Sequence, residues 1–145
     1  MNIPYLYDAG VLIAIDNDDR RMWARHSLAL EDGRDIHVPS VVVSQAWRDS
    51  RRQVRLGRFL AGCHVVPVDL ETAEAAGILC GKAGTSDIVD ATVVTMAAGL
   101  GAIIWTSDPN DIRPLIDAQD IKPAPVIRTI QQPMTSDDPT RSRTH

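Results

Sequence analysis

The strongest constraint on the fold is an alternation of two periods along the chain. Short, β-rich apolar runs recur at Ile3–Tyr7, Ile36–Val38, His64–Val68, Ala102–Thr106 and Pro125–Ile130. Between them apolar residues return at helical spacing. Helices are predicted over Gly10–Ile15, Asp19–Leu30, Val41–Ala61, Leu70–Gly81, Asp87–Ala98 and Pro109–Ala118. Strands separated by helices build a parallel sheet, because the helix carries the chain back before the next strand can run in the same direction. The expected architecture is therefore α/β: a three-layer sandwich with a mainly parallel five-stranded sheet and helices on both faces. Right-handed crossovers put every strand C-terminus along one edge, where open α/β sheets take their ligands.

One domain is expected over residues 1–130. A chain of 145 residues buries roughly 70% of the surface its unfolded form exposes, enough for a core without disulfides. Residues 131–145, QQPMTSDDPTRSRTH, are polar and carry no apolar period, which predicts a disordered tail outside the fold. With 44% hydrophobic and 23% charged residues, the composition is that of a soluble globular domain. The apolar N-terminus is interrupted by Asp8 and lacks a basic flank, so no signal peptide is predicted, and nothing reaches membrane-spanning length. Cys63 and Cys80 lack metal-ligand spacing and suit a reducing cytoplasm as small buried hydrophobes.

Chemistry concentrates in the aspartates. Asp8 follows the first strand and opens a helix, and alone it reads as an N-cap. Asp108 in WTSDPNDI, with Pro109 next and Asp111 three residues on, also makes a good helix start. GTSDIVDA is different, since Thr85 and Ser86 already offer caps and Asp87 and Asp90 are added on one helix face. A helix macrodipole favours one carboxylate in a first turn by about 0.3–1 kcal/mol, but two of like charge on one face partly cancel that gain. Asp8, Asp87, Asp90, Asp108 and Asp111 all belong to loops or helix starts on the same predicted edge. Such a group repels itself unless protons or a cation neutralise it, and hard oxygen donors select Mg²⁺ or Mn²⁺ over zinc.

In these residues the chain resembles PIN domains, particularly the VapC-like toxins. YDAGVLIA is similar to their first motif, DIVDATVVTMA to the third and TSDPNDI to the fourth, and the likeness covers Met1 to about Ile130. The resemblance implies a metal-dependent ribonuclease that hydrolyses RNA to 5′-phosphate and 3′-hydroxyl ends. It assigns metal binding to Asp8, Asp90 and Asp108, with Asp87 and Asp111 as further site members. It also implies a homodimer and a small antitoxin partner; the cytoplasm is expected from the cysteines and the lack of a signal peptide. One departure stands out: VPSVVVSQAWRDS has Gln45 where the family's second motif usually has a glutamate, which removes a negative charge while keeping a carbonyl oxygen.

Around the cleft, Arg48 is expected one turn after Gln45, either holding phosphate or pairing with Asp49. Arg51, Arg52 and Arg55, with Arg48 and Arg58, form a stripe for RNA phosphates if the helix is continuous. A solvated helix face is the alternative. Two rival functions follow: a PIN-fold binding protein that has lost catalysis at Gln45, and a phosphate-accepting signalling domain. The latter requires a lysine after a late strand, a place that neither Lys82 nor Lys122 fits.

Overall fold

The computed structural model describes residues 2–130; the expectation for 131–145 lies outside the described residues. The elements run β1 (Tyr5–Tyr7), α1 (Ala9–Asp16), α2 (Arg20–Glu31), β2 (Ile36–Pro39), α3 (Ser40–Ala46), α4 (Val54–Ala61) and β3 (His64–Val66). They continue α5 (Leu70–Ala83), α6 (Ile88–Leu100), β4 (Ile103–Thr106), α7 (Pro109–Gln119) and β5 (Ile127–Thr129). The sheet order is β3-β2-β1-β4-β5, and all four neighbouring pairs are parallel. The expected α/β sandwich is what the chain forms, with a sheet that is parallel throughout.

Strand order decides where a ligand can sit. From β1 the chain steps outward to β2 and β3, then crosses back to β4 and on to β5. Right-handed crossovers in opposite senses place the two sets of helices on opposite faces. The packing agrees: α1 lies against α2, α3 and α4, while α5, α6 and α7 lie against one another. The direction reverses between β1 and β4, and the crevice beyond the strand ends at such a switch point is the usual ligand site of an open α/β sheet.

Two apolar surfaces close on the sheet. Val11, Leu12 and Ile15 of α1 are fully buried on one side, and Ala91, Val93, Val94 and Ala97 of α6 are fully buried on the other. Leu6, Val38 and Ile104 of the central strands lie in the same cluster. Fully burying a Val, Leu or Ile side chain contributes roughly 1.5–3 kcal/mol, so both helices are held firmly against the sheet. Both begin at the switch-point edge.

The single helix expected over Val41–Ala61 is two helices, separated by residues 47–53. The cause is Gln53, which is 6% exposed. Its side-chain oxygen accepts from the amides of Arg48 at 2.6 Å and Asp49 at 2.9 Å, and its nitrogen donates to the Ala46 carbonyl at 2.8 Å. A buried amide has taken the backbone groups that a continuing helix would have paired. Trp47 is extended, and the arginine stripe that needed a continuous helix does not form.

Candidate active site

Asp8 ends β1 and caps α1. Its Oδ1 accepts from the Gly10 amide at 2.9 Å, and its own amide donates to the Trp105 carbonyl of β4 at 3.1 Å. The residue is 8% exposed. Burial raises its pKa above the usual aspartate value; hydrogen bonds from the Thr106 hydroxyl and the Gly10 and Val11 amides oppose that rise, and the Asp108 charge adds to it. The Thr106 hydroxyl also accepts from the Asp108 amide at 2.9 Å. One buried hydroxyl thus ties the ends of β1 and β4 together.

At the start of α6, Asp87 is the N-cap and its carboxylate accepts from the Asp90 amide at 3.1 Å. Thr85 in turn accepts from the Asp87 amide at 3.2 Å. Asp90, half-buried one turn along, is pushed up to about 7. Desolvation is the largest cause, followed by a hydrogen bond donated to Asp87 and the negative charges of Asp87, Asp8 and Asp111. Burial and the neighbouring carboxylates thus favour the protonated form of Asp90.

Asp108 stands at the N-cap position of α7. Pro109 at the first helical position starts the helix without an amide to satisfy, and the Asp108 carboxylate makes no capping bond. Asp111 is raised by a hydrogen bond to Asp108, then by the Asp108 charge, by desolvation and by Asp87. Asp8, Asp87, Asp90, Asp108 and Asp111 thus feel one another across three chain segments, and the charges acting on Asp8, Asp90 and Asp111 are all aspartates.

The donor set is all oxygen and anionic, the chemistry that suits a hard divalent cation. Asp90 and Asp111 are each raised by a neighbouring aspartate, Asp87 and Asp108 respectively. Among the described residues no three His, Cys, Asp or Glu side chains converge on one point able to hold an ion. Proton sharing and cation binding compete for the same oxygens.

The PIN domain profile matches residues 5–113, which spans β1 through the start of α7 and contains all five aspartates. The chain belongs to the PIN domain family. A chain of the VapBC2 complex from Rickettsia felis, solved with a DNA fragment from its promoter, superposes with a TM-score of 0.63 at 14% identity, covering 88% of this chain and 99% of that one. A chain of the DNA-bound VapBC from Salmonella typhimurium gives 0.61 at 15% identity, covering 88% and 98%. A toxin-antitoxin complex from Klebsiella pneumoniae gives 0.59 at 16%, covering 74% and 88%. These likenesses establish the shared PIN fold. None of the curated proteins compared with the sequence matches it.

The PIN fold distributes the remaining candidates differently. Gln45 is exposed near the end of α3, and its side chain forms no hydrogen bond among the described residues. Arg48 donates to the carbonyls of Ser44 at 3.0 Å and Trp47 at 2.7 Å, so it closes the end of α3, and Asp49 pairs with Arg52 at 3.7 Å. Arg55 lies 3.8 Å from Asp18 and donates to the Asp16 carbonyl at 3.1 Å. Arg51 is exposed, its amide bonded to the Asp49 carboxylate.

Thr106 was not singled out in the sequence, although it belongs to the site. Its signal is positional: a β-branched hydroxyl residue two places before Asp108 at a strand end can accept the Asp108 amide. Gly10 is a second such residue. A Cβ there would collide with the Ser107 side chain, so glycine at the start of α1 lets the β4–α7 turn lie against it.

Proposed function

We propose that the protein is a metal-dependent endoribonuclease of the VapC-like kind, the toxin of a toxin–antitoxin pair. The observation that carries this reading is the gathering of Asp8, Asp87, Asp90, Asp108 and Asp111 at the switch-point edge, where the charges that raise Asp8, Asp90 and Asp111 are those of neighbouring aspartates. Asp8, Asp90 and Asp108 would hold Mg²⁺ or Mn²⁺, which when bound activates water and offsets charge developing on the phosphate. Asp87 and Asp111 would ligate the ion or position water at it. Asp8 is held in place by the Gly10 amide and Thr106 hydroxyl. Water adds at phosphorus as the bond to the 3′ oxygen breaks, leaving 5′-phosphate and 3′-hydroxyl ends.

The partners in this reading are RNA, a small antitoxin and a second copy of the chain. That the similar structures are VapBC and toxin–antitoxin complexes supports the antitoxin. Cytoplasmic action belongs to the same reading, and no described helix is long and apolar enough to cross a membrane. The deciding assay incubates the protein with total RNA in Mg²⁺, Mn²⁺ or EDTA, beside Asp90→Asn. Cleavage that needs metal and is lost in Asp90→Asn is expected; equal cleavage by a folded Asp90→Asn protein sinks the assignment.

A second reading, a PIN-fold binding protein without catalysis, is favoured by Gln45, an exposed neutral amide where the family usually has a glutamate. Antitoxin binding with no RNA cleavage in either metal would establish it.

A further inference from the structure

An open groove of about 620 Å³ lies beside the carboxylate cluster, lined by Gly10, Ile13, Asn17, Arg21, Ser107 and Ile130 together with Ala14 and Asp19. Gly10 is two residues past Asp8, and Ser107 immediately precedes Asp108. The groove therefore opens off the two turns that carry those aspartates. Its volume falls within the range of small-molecule sites.

The charges around it are assigned by their partners. Asp19 spends an oxygen capping α2, accepting from the Met22 amide at 3.1 Å. The side chains of Asn17, Arg21 and Ser107 make no hydrogen bond or ion pair among the described residues. This separates Arg21 from Arg48, Arg52 and Arg55, which are spent on carbonyls or aspartates of the fold. Ile13 and Ile130 add apolar surface to the same wall.

A polyanion approaching five carboxylates needs a fixed cation close by, and a guanidinium suits a phosphate. We infer that this groove is the subsite for the nucleotide next to the scissile phosphate. The Arg21 guanidinium contacts that nucleotide's own phosphate, Asn17 and Ser107 contact its polar groups, and Ile13 and Ile130 lie against its ribose or base. This inference rests on the nuclease reading for its substrate and extends it to a residue outside the acidic cluster. Phosphate contact positions the strand and carries no sequence information.

The test is binding of a fluorescein-labelled single-stranded RNA 12-mer in EDTA, read by anisotropy across a salt series, for the wild-type chain, Arg21→Gln and Arg20→Gln. Arg21 is exposed, so its replacement leaves the core intact. Arg20, its exposed neighbour, is absent from the groove lining and controls for the loss of one charge. Arg21→Gln is expected to weaken binding roughly 5- to 20-fold and to lower the slope of log affinity against log salt by about 0.7. Equal effects of the two variants, or no effect of Arg21→Gln, overturn the subsite. Binding that depends on Arg21 without metal-dependent cleavage keeps the groove as an RNA phosphate contact and removes the nuclease reading. Cleavage with binding indifferent to Arg21 does the reverse, and a wild-type chain that neither binds nor cuts removes both.

Discussion

Asp8 and Asp108, at the ends of neighbouring parallel strands, are joined through a single hydroxyl. Thr106, wholly buried, accepts the Asp108 amide at 2.9 Å and donates to the Asp8 carboxylate. Replacing it by valine keeps the shape and leaves a buried amide and carboxylate short of a partner. Thr106→Val is expected to destabilise the fold by about 1–3 kcal/mol in urea denaturation, with Thr106→Ser recovering most of the loss. A valine variant as stable as wild type would show that the hydroxyl holds neither aspartate.

The protonation of Asp90 sets a pH dependence with a definite sign. Its folded pKa is about 7, against roughly 3.9 for an aspartate in an unfolded chain. Between these values the folded state binds more protons, so the contribution to stability is full below about pH 4 and is lost as pH rises through about 7. Asp8 and Asp111 are shifted in the same direction. In EDTA, the wild-type urea midpoint should fall from pH 5 to pH 8, and Asp90→Asn should flatten that fall. Parallel pH profiles for the two proteins would exclude Asp90 as the group responsible.

The turn between β4 and α7 packs on the start of α1 because Gly10 has no Cβ. Ser107 Cβ and Oγ both fall inside the contact distance of a Cβ built there. Gly10→Ala should therefore cost about 1–3 kcal/mol, as overpacking does. The double variant Gly10→Ala/Ser107→Gly should recover part of it, since the two changes share one contact. Simple additivity in thermal or urea unfolding would mean that the clash is absorbed elsewhere.

Which features could be read from sequence depended on how far apart the interacting residues lie. The alternation of strand and helix periods was enough for a parallel sheet with its strand ends on one edge, because each period is a local property. The crowding of Asp87 and Asp90 was equally local, three residues apart on one helix face. Only the Thr106–Asp108 turn is local; the contacts of Thr106 with Asp8 and of Gly10 with Ser107 join segments roughly a hundred residues apart, where no short pattern reports them. The break at Trp47 was missed for another reason: VVVSQAWRDSRRQVRL has good helical spacing throughout, and nothing in it marks Gln53 as buried. Propensity lost there to a tertiary hydrogen-bond network.

That network leads to a prediction about the segment between α3 and α4. Gln53 binds the Arg48 and Asp49 amides, the Ala46 carbonyl and, at 3.1 Å, the Asp16 carboxylate at the end of α1. No other side chain of the segment is held by so many backbone groups. Gln53→Ala should cost about 2–4 kcal/mol, several hydrogen bonds at roughly 1 kcal/mol each together with the penalty for groups left unpaired. It should also raise amide hydrogen exchange first at Arg48 and Asp49. Because α1 carries Asp8 at its other end, loss of the Gln53–Asp16 bond should loosen the C-terminal turn of α1 while leaving the Asp8–Gly10 cap protected. Uniform exchange across α1, or exchange at Arg48 and Asp49 equal to wild type, would show that the break is maintained by the extended backbone at Trp47 without Gln53.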